Sequence, residues 1–494
     1  MRIVLTPTRR ALACSAVAII LLAVGPIAPA ARSLAPPGST RPQRGSSAAA
    51  QHRSSPGAQL WVSHYNGPGN GNDSSRSVAS SPDGSKVYVT GYTVGIGGDE
   101  DATTFAYDAS TGAQLWAASY NDPSNGNDLS LSVAPSPDGS KVFIAGSSGG
   151  TGNLLGYLTI AYDATTGARL WAQIYHGPGD GNGAAYAVAV SPGGAKVFVT
   201  GFSDGVSSGP DYATVAYDAG TGVQLWVRRY DGPGDFWDYA NALSVSPGGS
   251  RVFVTGQSYP HSGGFSDYAT VAYSSSGAQL WVRRFHASGT GDNRANSVAV
   301  SPGGSTLFVT GTASAAGGQA GITTVAYSAS TGARQWVGFF DTPGGCTGDD
   351  GRAVGVSPDG SKVFVTGTTD GGGCSDYSTV AYDAMTGAQL WASQYDGPGD
   401  SYDNAFALAV SPGGQKVFVT GYGVGDTGSY DYGTVAYDAA TGAQLWVARY
   451  NGPVDGTDVP RSIAVSPGGS KVFVTGQSPG TGGDDDFLTV AYAA

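Results

Sequence analysis

The chain has 494 residues, 79 of them glycine, and it carries 25 basic against 37 acidic residues for a net charge of −12. Because nucleic acids and anionic membranes are bound through basic patches, this balance argues against both as partners. Glu100 is the sole glutamate, so nearly all acidic residues are aspartates, which favour hydrogen-bonded turns over helices and indicate an all-β fold.

The N-terminal segment, residues 1–30, has the pattern of a secretory signal peptide. Three arginines precede an apolar run over residues 11–24, and a small-residue cleavage site follows at 28–30. The run is too short to span a membrane as a helix. Residues 31–56 are rich in Ser, Pro and Arg without periodicity, which predicts a disordered linker. We therefore expect a secreted, extracellular protein, exported by the general or the twin-arginine route, whose folded domain covers 57–494.

A tryptophan recurs at a fixed interval of 55 residues through that domain. Each lies in a unit of four short β-branched and aromatic runs separated by Gly, Pro, Asp and Ser, which predicts four antiparallel strands, A to D. Repeats of this size with four strands are typical of β-propeller blades, in which neighbours cover one another's apolar faces. We interpret the tryptophans as structural contacts between blades. They are Trp61, Trp116, Trp171, Trp226, Trp281, Trp336, Trp391 and Trp446.

The order of the runs along the chain predicts how the ring closes. The first repeat begins with a D strand near residue 57 and the last ends with a C strand near residue 492. The fold class is therefore an all-β, eight-bladed β-propeller with four antiparallel strands per blade, closed by pairing of the N-terminal strand with the C-terminal strands. Short A–B and C–D turns share one rim, so the long D–A and B–C loops share the other. We expect any ligand site on this long-loop face, since the scaffold does not dictate its residues.

Two cysteines remain beyond the signal segment. Cys346 and Cys374 lie in the same repeat, without metal-ligand spacing. An even pair in an exported chain predicts a disulfide.

Aspartates recur at two positions of the repeat. The first position opens strand A, where six carboxylates predict a cation site, with calcium as the suited ion, at one mouth of the central channel. The alternative is that each Asp closes its own turn by accepting backbone N–H groups. A second position precedes strand C, and its aspartates, including Asp211 and Asp376, are interpreted as structural. The first set is Asp73, Asp128, Asp238, Asp349, Asp403 and Asp458.

The ninth tryptophan departs from the 55-residue interval. Phe236, Trp237 and Tyr239 place three aromatic rings around a D–A loop where other blades carry Gly, Asn or Ser. Such rings suit stacking on a sugar, a peptide or a flat cofactor, and packing of the loop against its neighbour is the alternative. Further candidates for the same rim are Tyr402, Tyr259 and Phe265.

The segment 161–171 matches the pattern A-x-D-x-x-T-G-x-x-x-W. This resembles the tryptophan-docking motif of quinoprotein dehydrogenase-like (PQQ-like) propellers, which have eight blades. Ser274 and Ser328 replace the aspartate in two copies. The whole unit is also similar to bacterial extracellular β-propeller repeats of the SBBP type and to YVTN and WD40-like repeats, over 57–494.

The resemblance to quinoprotein dehydrogenases implies pyrroloquinoline quinone (PQQ), a calcium ion, a catalytic Asp and adjacent cysteines, but this chain has no adjacent cysteines. We therefore predict no PQQ, leave calcium open and assign no catalytic residue. The near-uniform blades favour a monomeric, non-catalytic scaffold that binds a protein, glycan or small molecule on the long-loop face. The alternative is a PQQ-like oxidoreductase, or another propeller enzyme, that acts on sugars or alcohols.

Overall fold

The structure is a computed structural model, and it describes residues 54–150, 154–178, 181–206, 209–261, 264–315, 318–342, 349–371, 374–399, 401–425 and 428–494. These residues form 32 strands joined by turns and loops, with no helix in the described ranges. The signal segment and most of the linker lie outside them. So does Cys346, and the disulfide therefore stays a prediction.

The strands are seven to ten residues long and take the following bounds in chain order. They are β1 (Gln59–Tyr65), β2 (Ser74–Ser80), β3 (Lys86–Val94), β4 (Glu100–Asp108), β5 (Gln114–Tyr120), β6 (Asp128–Pro135), β7 (Lys141–Gly149), β8 (Leu155–Asp163), β9 (Arg169–Tyr175), β10 (Gly183–Val190), β11 (Lys196–Asp204), β12 (Pro210–Asp218), β13 (Gln224–Tyr230), β14 (Asp238–Val245), β15 (Arg251–Ser258), β16 (Asp267–Ser274), β17 (Gln279–Phe285), β18 (Arg294–Val300), β19 (Thr306–Ser314), β20 (Ala320–Ser328), β21 (Arg334–Phe340), β22 (Asp350–Val356), β23 (Lys362–Gly371), β24 (Cys374–Asp383), β25 (Gln389–Tyr395), β26 (Asn404–Val410), β27 (Lys416–Val424), β28 (Tyr430–Asp438), β29 (Gln444–Tyr450), β30 (Val459–Val465), β31 (Lys471–Pro479) and β32 (Asp485–Ala493).

The strands form eight antiparallel four-stranded sheets, which confirms the predicted blade count and fold class. Blades 1 to 7 each consist of four consecutive strands, from β2–β5 in blade 1 to β26–β29 in blade 7. Blade 8 has the order β1-β32-β31-β30, with Trp61 of β1 opposite Ala491 of β32. The two ends of the domain therefore share one sheet, as the strand order predicts.

The first strands of neighbouring blades contact one another all the way around the ring, and β2 of blade 1 contacts β30 of blade 8. Strand A is therefore the innermost strand of each blade and D the outermost. The apolar core lies between successive sheets, where aromatic and β-branched side chains of strands B and C are almost fully buried.

Glycines at positive φ form the short turns of one rim. In the first A–B turn, Gly84 has φ 71° and its N–H donates to the Ser81 carbonyl at 2.9 Å. In the C–D turns, an aspartate such as Asp108 accepts the backbone N–H and the hydroxyl of Thr111, each at 2.9 Å. Gly112 then takes φ 73°, a conformation that costs glycine little.

Each repeat tryptophan packs across a blade boundary. Trp116 is 7% exposed, lies between Tyr88 of its own blade and Tyr162 of the next, and donates from Nε1 to the Ala164 carbonyl at 3.2 Å. Gly167 lies over the indole, and a Cβ there would be 2.8 Å from the ring. The glycine of the T-G-x-x-x-W pattern therefore serves both the turn and the tryptophan of the preceding blade. Seven of the eight repeat tryptophans donate to the next blade in this way: Trp61, Trp116, Trp171, Trp226, Trp281, Trp336 and Trp391.

Candidate functional site

The long-loop face is built on the aspartates that open the inner strands. Asp238 is fully buried and its Oδ2 accepts the N–H of Gly232 at 2.6 Å, which closes the D–A loop between blades 3 and 4. Asp73 accepts the N–H of Gly67 in its own loop and that of Val94 at 2.7 Å, which ties the loop to the end of strand B. The other predicted metal ligands are also buried, at most 2% exposed, and each accepts a hydrogen bond from a backbone N–H. They are Asp128, Asp349, Asp403 and Asp458.

Burial perturbs these carboxyl groups. It raises the pKa of Asp128, Asp238 and Asp458 to about 6, against the opposing effect of hydrogen bonds from a serine hydroxyl and a loop N–H. It raises the pKa of Asp349 to about 7, to which its neighbour Asp341 contributes. That these six aspartates bind calcium at the mouth of the channel stays a prediction.

The aspartates predicted to precede strand C lie at its first or second residue in three blades, where they form ion pairs. Asp211 pairs with Arg229 at 2.6 Å between Oδ2 and the guanidinium. Asp267 contacts Arg284 at 2.9 Å and the Nδ1 of His286 at 2.7 Å. In blade 7, Asp431 pairs with Arg449 at 3.2 Å. Each arginine lies near the end of its strand D, so the pair joins strands C and D beneath the loops.

In blades 1 to 3 the residue just before the buried-aspartate position, which is Gly183 in blade 3, joins adjacent blades. The Oδ1 atoms of Asn72, Asn127 and Asn182 each accept a backbone N–H from the first residue of strand C in the preceding blade, at 3.1 Å. In blade 4 the corresponding residue is Trp237, and the first residue of the preceding strand C is Pro210, which has no N–H. Both partners of the bridge are therefore replaced together at this boundary.

The aromatic residues of this loop form an exposed stack. The rings of Phe236 and Trp237 are stacked with centroids 5.0 Å apart and an interplanar angle of 15°. Tyr259 meets Phe236 edge-on at 6.3 Å. Trp237 is 48% exposed and lies against Gly209, where a Cβ would contact the indole. The indole of Trp237 is therefore stacked on Phe236 and still leaves about half of its surface open to solvent.

The other predicted aromatic residues lie elsewhere. Tyr239 lies on the inner strand β14 and packs edge-on against Phe202 of blade 3 at 5.2 Å, and burial raises its pKa to about 12. Tyr402 is 53% exposed and occupies the Trp237 position of blade 7, three blades away. Phe265 is also exposed, in the B–C loop of blade 4. The structure thus groups Phe236 and Trp237 with Tyr259.

Two groups of three aspartates converge on this face, and their spacing alone did not reveal it. One carboxylate oxygen from each of Asp211, Asp231 and Asp238 lies within 4.8 Å of the others. Asp376, Asp396 and Asp403 form the same arrangement three blades further on. Sequence reasoning did not single out Asp231 and Asp396, each of which follows a strand D. The sequence does contain a pattern that could have identified both groups, because in each of these two repeats the three aspartates are separated by 20 and then 7 residues.

Arginines on the inner strands are a second feature that sequence reasoning did not single out. The guanidinium groups of Arg352 and Arg461 each lie 5.7 Å from the ring centre of Phe406. Burial and the neighbouring Arg76 lower the pKa of Arg461 to about 10. The negative net charge of the chain therefore does not extend uniformly to its innermost strands.

The described residues contain no helix of the length and apolarity that a membrane crossing requires.

Solved structures share this architecture at low sequence identity. Chaetomium thermophilum Sqt1 bound to the N-terminus of ribosomal protein L10 is similar with a TM-score of 0.58 and 13% identity, over 88% of this chain and 100% of that one. The Dos1 propeller gives 0.56 and 12%, over 87% and 95%. Quinohemoprotein alcohol dehydrogenase from Comamonas testosteroni gives 0.52 and 14%, over 88% and 76%. These likenesses establish the fold alone.

Sequence comparison assigns the family. No curated protein matches the chain. The family model described as outer membrane protein assembly factor BamB matches residues 53–193, 160–372 and 324–484. Since these overlapping matches cover most of the eight blades, the chain belongs to this BamB family of PQQ-like propellers.

Proposed function

We propose that this protein is an exported, non-catalytic scaffold that binds a neutral saccharide on its long-loop face, with Trp237 as the central contact. The observation that carries the proposal is the exposed Phe236–Trp237 stack in a loop where blades 1 to 3 use an asparagine bridge. The N-terminal signal pattern over 1–30 supports export.

The local structure supports a ligand-binding role for Trp237 over a packing role. A tryptophan recruited for packing buries most of its ring, as the repeat tryptophans of this chain do: six of them are 6–8% exposed and the other two are partly buried. Trp237 leaves 48% of its surface exposed, although its plane is held by Phe236 on one side. An exposed, pre-oriented aromatic face binds ligands without first paying the entropy of ordering the ring.

The charges near the stack favour a ligand rich in hydroxyl groups. Asp231 and Asp235 lie in the same loop, and burial together with Asp211 and Asp235 raises the pKa of Asp231 to about 6. At neutral pH these groups are hydrogen-bond acceptors that repel anions. A sugar ring presents an apolar C–H face to the indole and hydroxyl donors to the carboxylates, which matches both features.

A glycan binding screen tests this proposal with the purified protein and Trp237→Asn. The asparagine restores the residue used by blades 1 to 3, so the fold is retained while the ring is lost. We expect binding of neutral oligosaccharides, and an affinity lower by about tenfold in the variant, because an aromatic contact contributes roughly 1.4 kcal/mol.

Met385→Ala is the matched control, since this side chain is 83% exposed in a short turn of the opposite rim. Equal affinity of Trp237→Asn and the unaltered protein, or no glycan binding at all, contradicts the proposal. Oxidation of sugars or alcohols after addition of PQQ and calcium would overturn its non-catalytic part.

A further inference from the structure

Each innermost strand contains a β-bulge, and the extra residue of that bulge differs from blade to blade. In blade 8, for example, the pairing of β30 with β31 skips Arg461, between Pro460 and Ser462. A bulge redirects the side chain of its extra residue away from the regular alternation of the strand. From blade 1 to blade 8 the bulge residues are Arg76, Leu131, Tyr186, Asn241, Asn296, Arg352, Phe406 and Arg461.

The bulge residues of blades 6, 7 and 8 meet at the axis of the ring. The guanidinium carbons of Arg352 and Arg461 each lie 5.7 Å from the ring centre of Phe406. Phe406 thus contacts the blades on both sides of its own, which a side chain enclosed between two sheets could not do. Burial lowers the pKa of Arg461 to about 10, and Arg76 of blade 1 is near enough to add to this effect. Three cationic side chains from blades 6, 8 and 1 therefore share one part of the central channel.

The bulge residues of blades 4 and 5 provide an internal comparison. The Nδ2 of Asn241 donates to the Ala295 carbonyl at 2.9 Å, and the Nδ2 of Asn296 donates to the Gly351 carbonyl at 2.7 Å. Each amide therefore donates to the next blade, and neither adds a charge to the channel.

The three arginines retain donors without acceptors. Arg461 makes no hydrogen bond or ion pair with any residue that the structure describes, and its buried Nε has no partner. Arg76 donates to the Tyr92 hydroxyl at 3.3 Å, and Arg352 pairs with Asp350 at 2.7 Å, but the Nε of each is also buried without a partner. Among the described residues, two of the three guanidinium groups therefore have no carboxylate at ion-pair distance.

Two acidic side chains interact with these arginines at longer range. Burial raises the pKa of Glu100 and of Asp485, and the charges of Arg76 and Arg461, respectively, oppose that effect. Neither carboxylate reaches ion-pair distance, and Asp485 instead accepts the Nε2–H of Gln477 at 2.5 Å. The arginine N–H groups are thus left available to another acceptor.

We propose that Arg76, Arg352 and Arg461 bind a phosphate group in the central channel. A guanidinium donates two parallel N–H groups, a geometry that matches phosphate oxygens, and it is less strongly hydrated than an ammonium group. Contact with Phe406 orients two of the guanidinium planes and leaves the N–H groups at their edges free to donate. A phosphate monoester has about −1.5 to −2 charges and three acceptor oxygens, which matches two guanidinium groups that lack a carboxylate. The saccharide proposal concerns blades 3 and 4 and shares none of these residues.

Isothermal titration of the protein with sodium phosphate, at low salt and without other multivalent anions, tests the proposal. We expect saturable binding of one phosphate per chain. Arg461→Gln is expected to lower phosphate affinity by about tenfold or more, because a charge-assisted hydrogen-bond donor is lost. Arg76→Gln is expected to give the same loss and provides the test if the first variant folds poorly. Glycerol 3-phosphate is titrated in parallel, and the tighter of the two ligands shows whether the site takes a free ion or the phosphate of a larger molecule.

Arg334→Gln is the matched control, because it removes the same charge from an exposed side chain on the outer strand β21. We expect this variant to bind phosphate as the unaltered protein does. Absence of binding at millimolar phosphate overturns the proposal. Unchanged affinity in the folded Arg461 and Arg76 variants, or an equal loss in Arg334→Gln, also overturns it, since the attraction would then not be specific to the channel.

Discussion

At the scale of single residues, the buried aspartates show how one position holds a loop at an electrostatic cost. Asp238 closes its D–A loop through the Gly232 N–H, yet burial raises its pKa to about 6. Blade 5 has Asn293 at this position, where Oδ1 accepts the Ser314 N–H at 3.3 Å and Nδ2 donates to the Ser266 carbonyl at 3.0 Å. A neutral amide therefore serves the same structural purpose without a buried charge.

These carboxyl groups predict that the protein is more stable in mild acid than at neutral pH. An aspartate in the unfolded chain has a pKa of about 3.9, whereas burial raises the pKa of Asp128 in the folded chain to about 6. The folded state holds the proton over this interval, so the stabilisation is complete below the unfolded pKa and is lost as pH rises through the folded pKa. Asp83 and Asp138, whose pKa values are lowered to about 2 by hydroxyl hydrogen bonds, act in the opposite sense below pH ~4.

We therefore expect the thermal midpoint to be highest between pH 4 and 5 and to fall towards pH 7.5, as measured by circular dichroism. Asp128→Asn is expected to raise the midpoint at pH 7.5 and to leave it unchanged at pH 4.5. A midpoint that increases steadily from pH 4.5 to 7.5 in the unaltered protein would contradict this account of the buried carboxyl groups.

At the scale of structural elements, the C–D turn and the tryptophan of strand D form one contact across each blade boundary. Gly167 takes φ 73° and lies over Trp116, whose indole also donates to the Ala164 carbonyl. The A–B turn has a glycine of the same conformation, Gly139 at φ 70°, but the nearest atom to a Cβ there is 3.8 Å away, on Pro82. A side chain at Gly139 would therefore cause backbone strain alone, whereas one at Gly167 would cause backbone strain and also disturb the packing between blades.

Gly167→Ala is expected to destabilise the protein more than Gly139→Ala. Gly139→Ala introduces a left-handed residue and should cost about 1–2 kcal/mol. Gly167→Ala adds a clash with a buried indole, for which overpacking costs about 1–3 kcal/mol more. Chemical denaturation of both variants measures the difference, and equal midpoints would show that the glycine does not pack on the tryptophan.

The elements were predictable from the sequence because their signals are local and repeat eight times. The 55-residue interval, the turn glycines and the position of the first strand were enough to infer eight blades and their closure. The convergence of Asp376, Asp396 and Asp403 was not predictable in the same way, since it requires the register of β24 with β25 and the path of the next loop. The coupled replacement at Pro210 and Trp237 likewise became visible only when the Asn72 and Asn182 bridges were located.

At the scale of the whole molecule, the ring depends on β1 completing blade 8. β1 pairs with β32, so Trp61 donates to the Ala109 carbonyl of blade 1 and connects the two ends of the domain. Without this strand, β32 would be an exposed edge and Phe473 would lose its ring contact with Trp61.

A chain that begins after Tyr65 is therefore expected to melt at a lower temperature and to aggregate, because it combines a lost tryptophan contact with an unpaired strand edge. A chain that begins at Pro56 retains β1 and serves as the control. Thermal denaturation and size-exclusion chromatography compare them, and a truncated chain as stable and monomeric as its control would argue against closure through β1.

The scaffold in turn determines where a ligand can be recognised. At seven of the eight blade boundaries, including that of blades 3 and 4, a repeat tryptophan donates a hydrogen bond to the next blade. The boundary of blades 3 and 4 adds an exposed aromatic stack at Phe236 and Trp237. The central functional claim is that this stack, supported by a closed ring, binds a saccharide.

Acrylamide quenching of tryptophan fluorescence tests that claim most directly, because Trp237 is 48% exposed whereas six repeat tryptophans are 6–8% exposed. We predict that a saturating saccharide from the binding screen removes most of the quenchable emission, and that Trp237→Asn lacks this emission from the start. Quenching that is the same with and without the bound saccharide would contradict the account.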